Sequence, residues 1–164
     1  MHRTSFGHLG EQVDDIDRSL LALLQADASQ SYATLGQSVG LSTGAAHERV
    51  RKLRERGVIR RTTIEVDHDA VGRGMLAFVL VEARTWMGGE ETRAALLALP
   101  DVQEAHVVAG SAALLLKIRT AGTDDLQTVL RRIYELDQVL TARSVVVLET
   151  FFERALEPVQ HSGA

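Results

Sequence analysis

The stretch that decides the fold runs from Gly40 to Arg61 and reads GLSTGAAHERVRKLRERGVIRR. It holds seven of the chain's 18 lysines and arginines and only two acidic residues, although the 164-residue chain has a formal net charge of −4. A local excess of positive charge on an acidic protein is typical of a surface that contacts phosphate. The stretch therefore predicts a nucleic-acid-binding element.

Residues that typically begin or end helices occur in this stretch and also before it in the sequence. Gly40 is a helix stop, Ser42 can cap a helix that runs to Arg56, and Gly57 is the next stop. Two further helices precede this one, the first with leucines at helical spacing, and their candidate caps are Asp14 and Ser31. Helix, short glycine-containing turn and helix is the arrangement of a DNA-binding helix-turn-helix. We therefore predict a DNA-binding domain over residues 13–66.

The third helix of this unit should carry the DNA-facing surface. At about 100° per residue, Ala46, Val50 and Leu53 share one face and should pack on the first two helices. The small residues at its start would let the backbone approach the major groove of a duplex closely. The predicted DNA contacts on the cap and the helix are Ser42, Thr43, Gly44, Ala45, His47, Glu48, Arg49, Arg51, Lys52 and Arg54.

These residues differ in their predicted roles. Arg49 lies near the buried edge of the helix, so that it either orients the helix or meets a phosphate. After the helix, residues 58–66 predict a short β-wing with two more arginines. A Lys/Arg-rich helix face is most often solvated surface, but the turn and the wing favour DNA here. Candidates for base edges are His47, Glu48 and Arg51, and candidates for phosphate are Lys52, Arg54, Arg60 and Arg61.

Composition and motifs argue against other classes. The chain has no cysteine, which removes disulfides and zinc-thiolate sites. Residues 40–44 match the G-x-S-x-G pattern of a hydrolase, but no strand precedes Ser42, which we interpret as a helix cap. The six histidines do not cluster, and Asp67 is expected to cap a short helix ending at Gly72 rather than to bind metal. We expect no catalytic residue, no metal and no cofactor.

The sequence also bears on location and on the two ends of the chain. No stretch approaches the ~18 apolar residues of a membrane span, and the N-terminus lacks the apolar run of a signal peptide. We therefore expect a cytoplasmic protein with no membrane partner. Residues 1–12 are predicted to form a flexible N-terminus and residues 154–164 a C-terminal tail.

The second half of the chain alternates strands and helices and predicts a second domain. The expected elements are a strand at 75–84, a helix at 90–99, strands at 102–109 and 112–120, a helix at 124–136 and a strand at 143–152. This βαββαβ order is that of a ferredoxin-like sandwich. The fold class is therefore α+β, with a winged helix-turn-helix at 13–66, a hinge at 67–74 and a ferredoxin-like domain at 75–153.

The predicted strands are apolar on both faces, although two helices can cover only one face of the sheet. A second copy of the chain is expected to cover the other face, because large apolar patches are rarely left in water. The expected assembly is therefore at least a homodimer. A dimer also suits DNA, because two recognition helices ~34 Å apart can read the half-sites of a palindrome.

Several segments in this order carry a family resemblance. They are residues 13–17 with Leu20 and Leu21, 40–42, 48–53, 57–59, Gly110 with 115–117, and 146–149. The chain resembles the Lrp/AsnC (feast/famine) transcriptional regulators of bacteria and archaea. The resemblance implies a winged helix-turn-helix joined by a hinge to a ferredoxin-like effector domain. It also implies dimers that assemble further, often to octamers, and an amino acid as the usual effector.

The resemblance places an effector loop at Gly110, Ser111, Ala112 and Ala113. Family members commonly carry acidic residues directly after this glycine, and here they are absent. The loss of a carboxylate that bonds an ammonium group would remove roughly 1.5–3 kcal/mol, or about one to two decades in affinity. The loop would then be less selective or depend on backbone groups and Ser111, and its extra room favours a bulky apolar amino acid. The alternative is a tight turn between two strands.

Two other functions compete with a sequence-specific regulator. One is an architectural DNA-compacting protein of the same fold, which would show little preference between specific and nonspecific DNA. The other is a small enzyme built on the ferredoxin-like half. No paired catalytic constellation in the sequence supports the second possibility.

Overall fold

The computed structural model of the protein describes residues 13–154 and 156, so the predicted N-terminus at 1–12 and most of the predicted tail at 154–164 lie outside it. The described residues divide into two compact units. The first contains residues 13–64 with 153, 154 and 156, and the second is Glu65–Phe152. Residues 67–74 belong to the second unit, and their role as a hinge stays a prediction.

The first unit is built from three helices, and each begins at its predicted cap. They are α1 (Asp15–Ala26), α2 (Tyr32–Ser38) and α3 (Thr43–Glu55). Each cap side chain accepts a hydrogen bond from the backbone N–H three residues later, which satisfies a donor that the helix leaves open. The accepting atoms are Asp14 Oδ1 at 2.7 Å, Ser31 Oγ at 3.1 Å and Ser42 Oγ at 3.2 Å.

The turn between α2 and α3 depends on glycine at two positions. Gly40 has a φ of 71°, which L side chains rarely adopt. A Cβ on Gly36 would lie 2.7 Å from the carbonyl oxygen of Leu41, so that only glycine allows the chain to pass this closely. The three helices enclose a small core of fully buried side chains, which confirms the predicted inner face of α3. These are Leu20, Leu35, Ala46, Val50 and Leu53.

The predicted wing is wrong for the described residues, since 58–66 contain no strand. The N–H groups of Val58 and Ile59 donate to Leu53 O at 2.9 and 3.1 Å, and so they complete the end of α3. A wing needs two strands joined by a turn. The rest of this segment is a single run without a turn residue, so it cannot form a hairpin with itself.

The second unit is a four-stranded antiparallel sheet with two helices. Its elements are β1 (Met75–Ala83), α4 (Glu90–Leu97), β2 (Val102–Val107), β3 (Leu114–Thr120), α5 (Thr123–Tyr134) and β4 (Val139–Val146). The strands lie in the order β2-β3-β1-β4, and every neighbouring pair is antiparallel. The structure thus confirms the predicted βαββαβ order of a ferredoxin-like fold.

The last strand differs from its prediction of 143–152. It begins at Val139, which pairs with Ala83, and its pairing with β1 ends where Val146 meets Ala77. The apolar run at 145–148 suggested a later strand, but the pairs with β1 end at Val146, the Val147 N–H donates to Leu76 O at 2.9 Å, and Leu148 lies beyond the strand. Leu148 is consequently 98% exposed.

The segment before β1 also differs from its prediction, because residues 68–72 form turns rather than a helix. Asp67 does act as a cap, since its Oδ1 accepts from the N–H of Asp69 at 2.9 Å and of Ala70 at 3.2 Å. Gly72 then adopts a φ of 70°, and the following N–H, of Arg73, bonds back to His68 O at 2.7 Å. This left-handed residue ends the helical path after a single turn.

The two faces of the sheet differ in burial. One face packs against α4 and α5 in a core that includes Ala77, Val79, Val81, Leu116, Ile118 and Ile133. On the opposite face Phe78, Leu80 and Leu115 are only partly buried, and Val145 is 51% exposed. Cross-strand pairing places polar or charged residues beside them, namely Glu104, His106, Lys117 and Arg143. The second face is therefore apolar at its centre and charged around it.

Candidate nucleic-acid interface

Arg49 on α3 makes charged contacts with the start of α1 in the first unit. Its Nη1 donates to Asp14 Oδ2 at 2.6 Å and to Asp17 Oδ1 at 2.8 Å, and these contacts join α3 to the start of α1. Asp17 is only 6% exposed, so its carboxylate needs this partner. Of the two roles predicted for Arg49, the observed contacts match that of orienting the helix.

The contact between Asp14 and Arg49 shifts the pKa values of both groups. Burial alone would raise the pKa of Asp14, but the N–H of Asp17 and the guanidinium of Arg49 outweigh burial and lower it. Hydrogen bonds to Asp14 and Asp17 raise the pKa of Arg49. The ionised forms of Asp14 and Arg49 are therefore favoured in the folded protein.

Arg51 is held by two carboxylates of its own helix. Its Nε lies 2.8 Å from Glu48 Oε2 and its Nη2 lies 2.6 Å from Glu48 Oε1, while Nη1 donates to Glu55 Oε1. The Arg51 hydrogen bonds lower the pKa of Glu48, and Glu48 in turn raises the pKa of Arg51. Lys52 Nζ is 4.0 Å from Glu48 Oε1. Part of the positive charge that the sequence shows is thus neutralised on the helix surface.

Tyr32 is a residue of this surface that the sequence did not reveal as functional. Its hydroxyl accepts a hydrogen bond from Arg54 Nη1 at 3.1 Å, and its ring meets the His47 ring edge to face with centroids 4.7 Å apart. Two predicted DNA contacts are thus placed by one aromatic side chain of α2. The available signal was that Tyr32 is the single aromatic residue between positions 13 and 57.

The other predicted contacts lie at the surface. Thr43 and Gly44 at the start of α3 are exposed, and a Cβ on Gly44 would meet no atom within 4 Å. The Lys52 side chain is 61% exposed. Arg60 and Arg61 are exposed on the segment that follows α3. The start of α3 therefore leaves room for a duplex, and several cations are accessible around it.

The predicted effector loop connects β2 to β3 in the second unit. Gly110 has a φ of 138°, which favours glycine. Ala112 is buried, and the backbone of Ala113 is engaged, since its N–H donates to Val81 O at 2.8 Å and its oxygen accepts from Val108 N–H at 3.1 Å. Gly110 and Ser111 are exposed. The accessible part of the loop is thus its first two residues.

The described residues lack two other kinds of feature, a metal site and a membrane-spanning helix. No group of three or more histidine, aspartate or glutamate side chains within 13–154 and 156 is arranged to hold a metal ion. In the same part of the chain, no helix is long and apolar enough to cross a membrane.

Comparison with known proteins identifies the family. The AsnC-type helix-turn-helix domain matches residues 13–54, and the Lrp/AsnC ligand binding domain matches residues 76–156. The chain belongs to the Lrp/AsnC family. It is 32% identical to HTH-type transcriptional regulator FL11 of Pyrococcus horikoshii over 148 residues, which are 90% of this chain and 97% of that protein. It is 33% identical to HTH-type transcriptional regulator LrpA of Mycobacterium tuberculosis over 144 residues, 88% and 95% of the two chains.

Solved structures agree with this assignment. Escherichia coli AsnC has a TM-score of 0.83 at 27% identity, over 90% of this chain and 99% of that one. A feast or famine regulatory protein from M. tuberculosis, complexed with L-methionine, has a TM-score of 0.81 at 32% identity, over 90% and 100%. This Lrp/AsnC protein is a transcriptional regulator with a DNA-binding helix-turn-helix and a ligand-binding domain. The predicted family and the α+β fold class, a helix-turn-helix followed by a four-stranded sheet with helices, are thus confirmed apart from the wing, and the architectural alternative is not favoured.

Proposed function

We propose that this regulator binds operator DNA as a homodimer or larger assembly through the outward face of α3, and that an amino acid or related small molecule alters the assembly. The observation that carries the DNA-binding surface is the link from Arg49 to Asp14 and Asp17. It fixes α3 so that its small N-terminal residues and its polar face point outward. A rigid helix presented in this way is the geometry of major-groove reading.

The residues of this surface divide into two roles. Lys52, Arg60 and Arg61 supply phosphate contacts, because their charges are exposed around the helix. Phosphate contacts act on all sequences alike and give the salt dependence of binding. His47, Glu48 and Arg51 read base edges. Arg54 contributes indirectly as well, since its hydrogen bond to Tyr32 connects α3 to α2.

The DNA-binding proposal is tested by first selecting genomic fragments with the purified full chain and then measuring affinity at several salt concentrations. Lys52→Ala should weaken binding to selected and scrambled duplexes alike and reduce the salt slope by about one per bound helix. Arg93→Ala in α4 removes the same charge from an exposed side chain of the other unit and serves as the matched control. Equal behaviour of the two variants would remove Lys52 from the interface, and no binding of any duplex at low salt would overturn the proposal.

Self-association is supported by the second face of the sheet. Phe78, Leu80 and Leu115 form an apolar centre there, next to the exposed Val145. Burying such a face against a second copy removes apolar surface from water. Sedimentation should show dimers or larger species, up to octamers, and Val145→Asp should shift them toward monomers. A wild-type monomer at micromolar concentration would contradict this part of the proposal.

Effector binding is supported by the family assignment and by the loop at residues 110–113. The M. tuberculosis relative was solved with L-methionine, an amino acid with a long apolar side chain. The present loop offers a serine hydroxyl and small side chains, which suits a bulky apolar amino acid. Titration calorimetry across the twenty amino acids should give heat with Met, Leu or similar residues. The absence of heat with all of them would overturn this part.

The family assignment also bears on whether the protein is an enzyme and on where it acts. We infer that the protein is not an enzyme and that it acts in the compartment that holds the DNA, which is the cytoplasm in bacteria and archaea. Its relatives are transcriptional regulators, and this supports the first inference. The ratio of specific to nonspecific affinity separates a regulator from a DNA-compacting protein, and a regulator is expected to show ~10³ or more.

A further inference from the structure

The centre of the outward face of α3 is acidic, although the helix as a whole is basic. At about 100° per residue, the position opposite the buried Ala46, Val50 and Leu53 falls between Glu48 and Glu55, with Arg51 beside them. The three side chains are about half exposed. The outward face of the helix, from Glu48 to its last residue Glu55, thus carries two carboxylates and one guanidinium.

These three side chains form a single ion-paired cluster, the Glu48–Arg51–Glu55 triad. Glu48 engages Arg51 through both of its oxygens, in the planar two-bond arrangement that a guanidinium forms with a carboxylate. Glu55 takes the third nitrogen of the same guanidinium. Each of the three nitrogens of Arg51 therefore has a carboxylate partner within its own helix.

We propose that the triad is a specificity device, in which Glu48 and Glu55 hold Arg51 closed and keep sequence-independent DNA binding weak. Of the three residues, Glu55 is the one that was not already a candidate DNA contact. It acts as a specificity-determining residue through Arg51, without reading a base itself. This inference rests on the proposed docking of α3 in DNA.

The physical reason is a difference between two kinds of duplex. On an arbitrary sequence the triad stays closed, so Arg51 adds nothing to phosphate attraction and the carboxylates are repelled by the phosphates. On the operator, a guanine offers its O6 and N7 to Arg51, and a cytosine amino group can donate to Glu48. The repulsion is then offset only at the correct sequence. Specificity of this kind comes from a penalty on the wrong partner.

The test measures the affinity of the full-length protein for two duplexes of equal length and base composition, one selected from genomic DNA and one scrambled. Glu55→Gln removes one carboxylate charge while keeping the shape of the side chain. Affinity for the scrambled duplex should rise on the order of three- to fivefold, the size of exposed charge interactions. Affinity for the selected duplex should change less than twofold, so that the ratio of the two falls. Glu91→Gln in α4 carries the same charge change in the other unit and should leave the ratio unchanged.

A second variant separates release of Arg51 from a simple gain of positive charge. In an Arg51→Ala background there is no guanidinium to release, so Glu55→Gln should raise scrambled-duplex affinity less than it does in the wild type. An equal gain in both backgrounds, an equal gain on both duplexes, or no gain beyond that of Glu91→Gln would overturn the triad. These outcomes leave the binding of wild-type protein to DNA intact. Loss of the proposed function would instead appear as wild-type protein that binds neither duplex.

Discussion

The two units of this regulator position their functional surfaces by different means. In the ligand-binding unit a continuous core of twelve buried residues fixes the sheet and the helices through packing. Among the described residues of the DNA-binding unit the core is the five side chains Leu20, Leu35, Ala46, Val50 and Leu53, and charged contacts from Arg49 supplement it. A small unit cannot bury enough apolar surface to fix every helix. Polar links then decide the angle at which its recognition helix is presented.

The largest expected difference comes from truncating one fully buried leucine in each unit. Leu20→Ala and Leu116→Ala should each cost about 2–5 kcal/mol, because both side chains are completely buried. The smaller core has less stability to lose, so Leu20→Ala should abolish amide protection in the DNA-binding unit. Leu116→Ala should leave the ligand-binding unit folded but less protected. Hydrogen exchange read by mass spectrometry reports both units, and equal loss in the two would contradict the comparison.

A smaller effect is expected from breaking the polar link. Arg49→Ala leaves the carboxylate of Asp17 buried without its guanidinium partner, and this should destabilise the DNA-binding unit by about 1–3 kcal/mol. Arg61→Ala removes an exposed charge and should cost less than about 0.5 kcal/mol. Denaturant unfolding of the two variants provides the measurement. If both variants unfold like the wild type, Arg49 does not hold α3 in place.

The ligand-binding unit contains a polar contact that should contribute less to stability than that of Arg49. The Tyr134 hydroxyl donates to Ala142 O at 3.2 Å and accepts from Ala142 N–H at 3.0 Å, which satisfies the outer edge of β4. Tyr134→Phe should cost about 0.5–1.5 kcal/mol and speed hydrogen exchange at Ala142. A loss as large as that of Arg49→Ala would mean that polar links matter equally in both units.

The smallest expected effect is the pH dependence that Asp14 contributes. Its pKa is lower in the folded state than its usual value, through the Asp17 N–H and Arg49 and despite burial. Its contribution to stability is therefore present above the unfolded value of about 3.9 and is lost as the pH falls through the folded pKa. Solvent screens this half-exposed group, so the change should be modest.

Asp14→Asn isolates this contribution, because asparagine still caps a helix. Between about pH 5 and pH 2 the free energy of unfolding should fall less steeply in the variant than in the wild type. Parallel curves in that range would show that the pKa of Asp14 is not lowered in the folded state.

Much of the chain followed from local sequence signals. The caps at Asp14, Ser31 and Ser42 and the βαββαβ order rest on contacts between residues three or four apart and on the spacing of apolar side chains. Such signals do not depend on how distant segments of the chain pack. The contacts of Arg51 with Glu48 and Glu55 are of the same kind, at separations of three and four residues, and could have been predicted from sequence.

Other features required the folded chain. The partners of Arg49 lie 35 and 32 residues away, and the contact of Tyr32 with Arg54 joins two helices. The bounds of β4 were set by its pairing with β1 rather than by its own apolar run, and the wing failed because residues 58–66 have no second strand to pair with. By itself the sequence determined the order of the five helices and four strands in the described part of the chain and which helix faces are apolar, since these depend on short-range geometry. The tertiary structure decided which charges meet, because that depends on how distant segments pack.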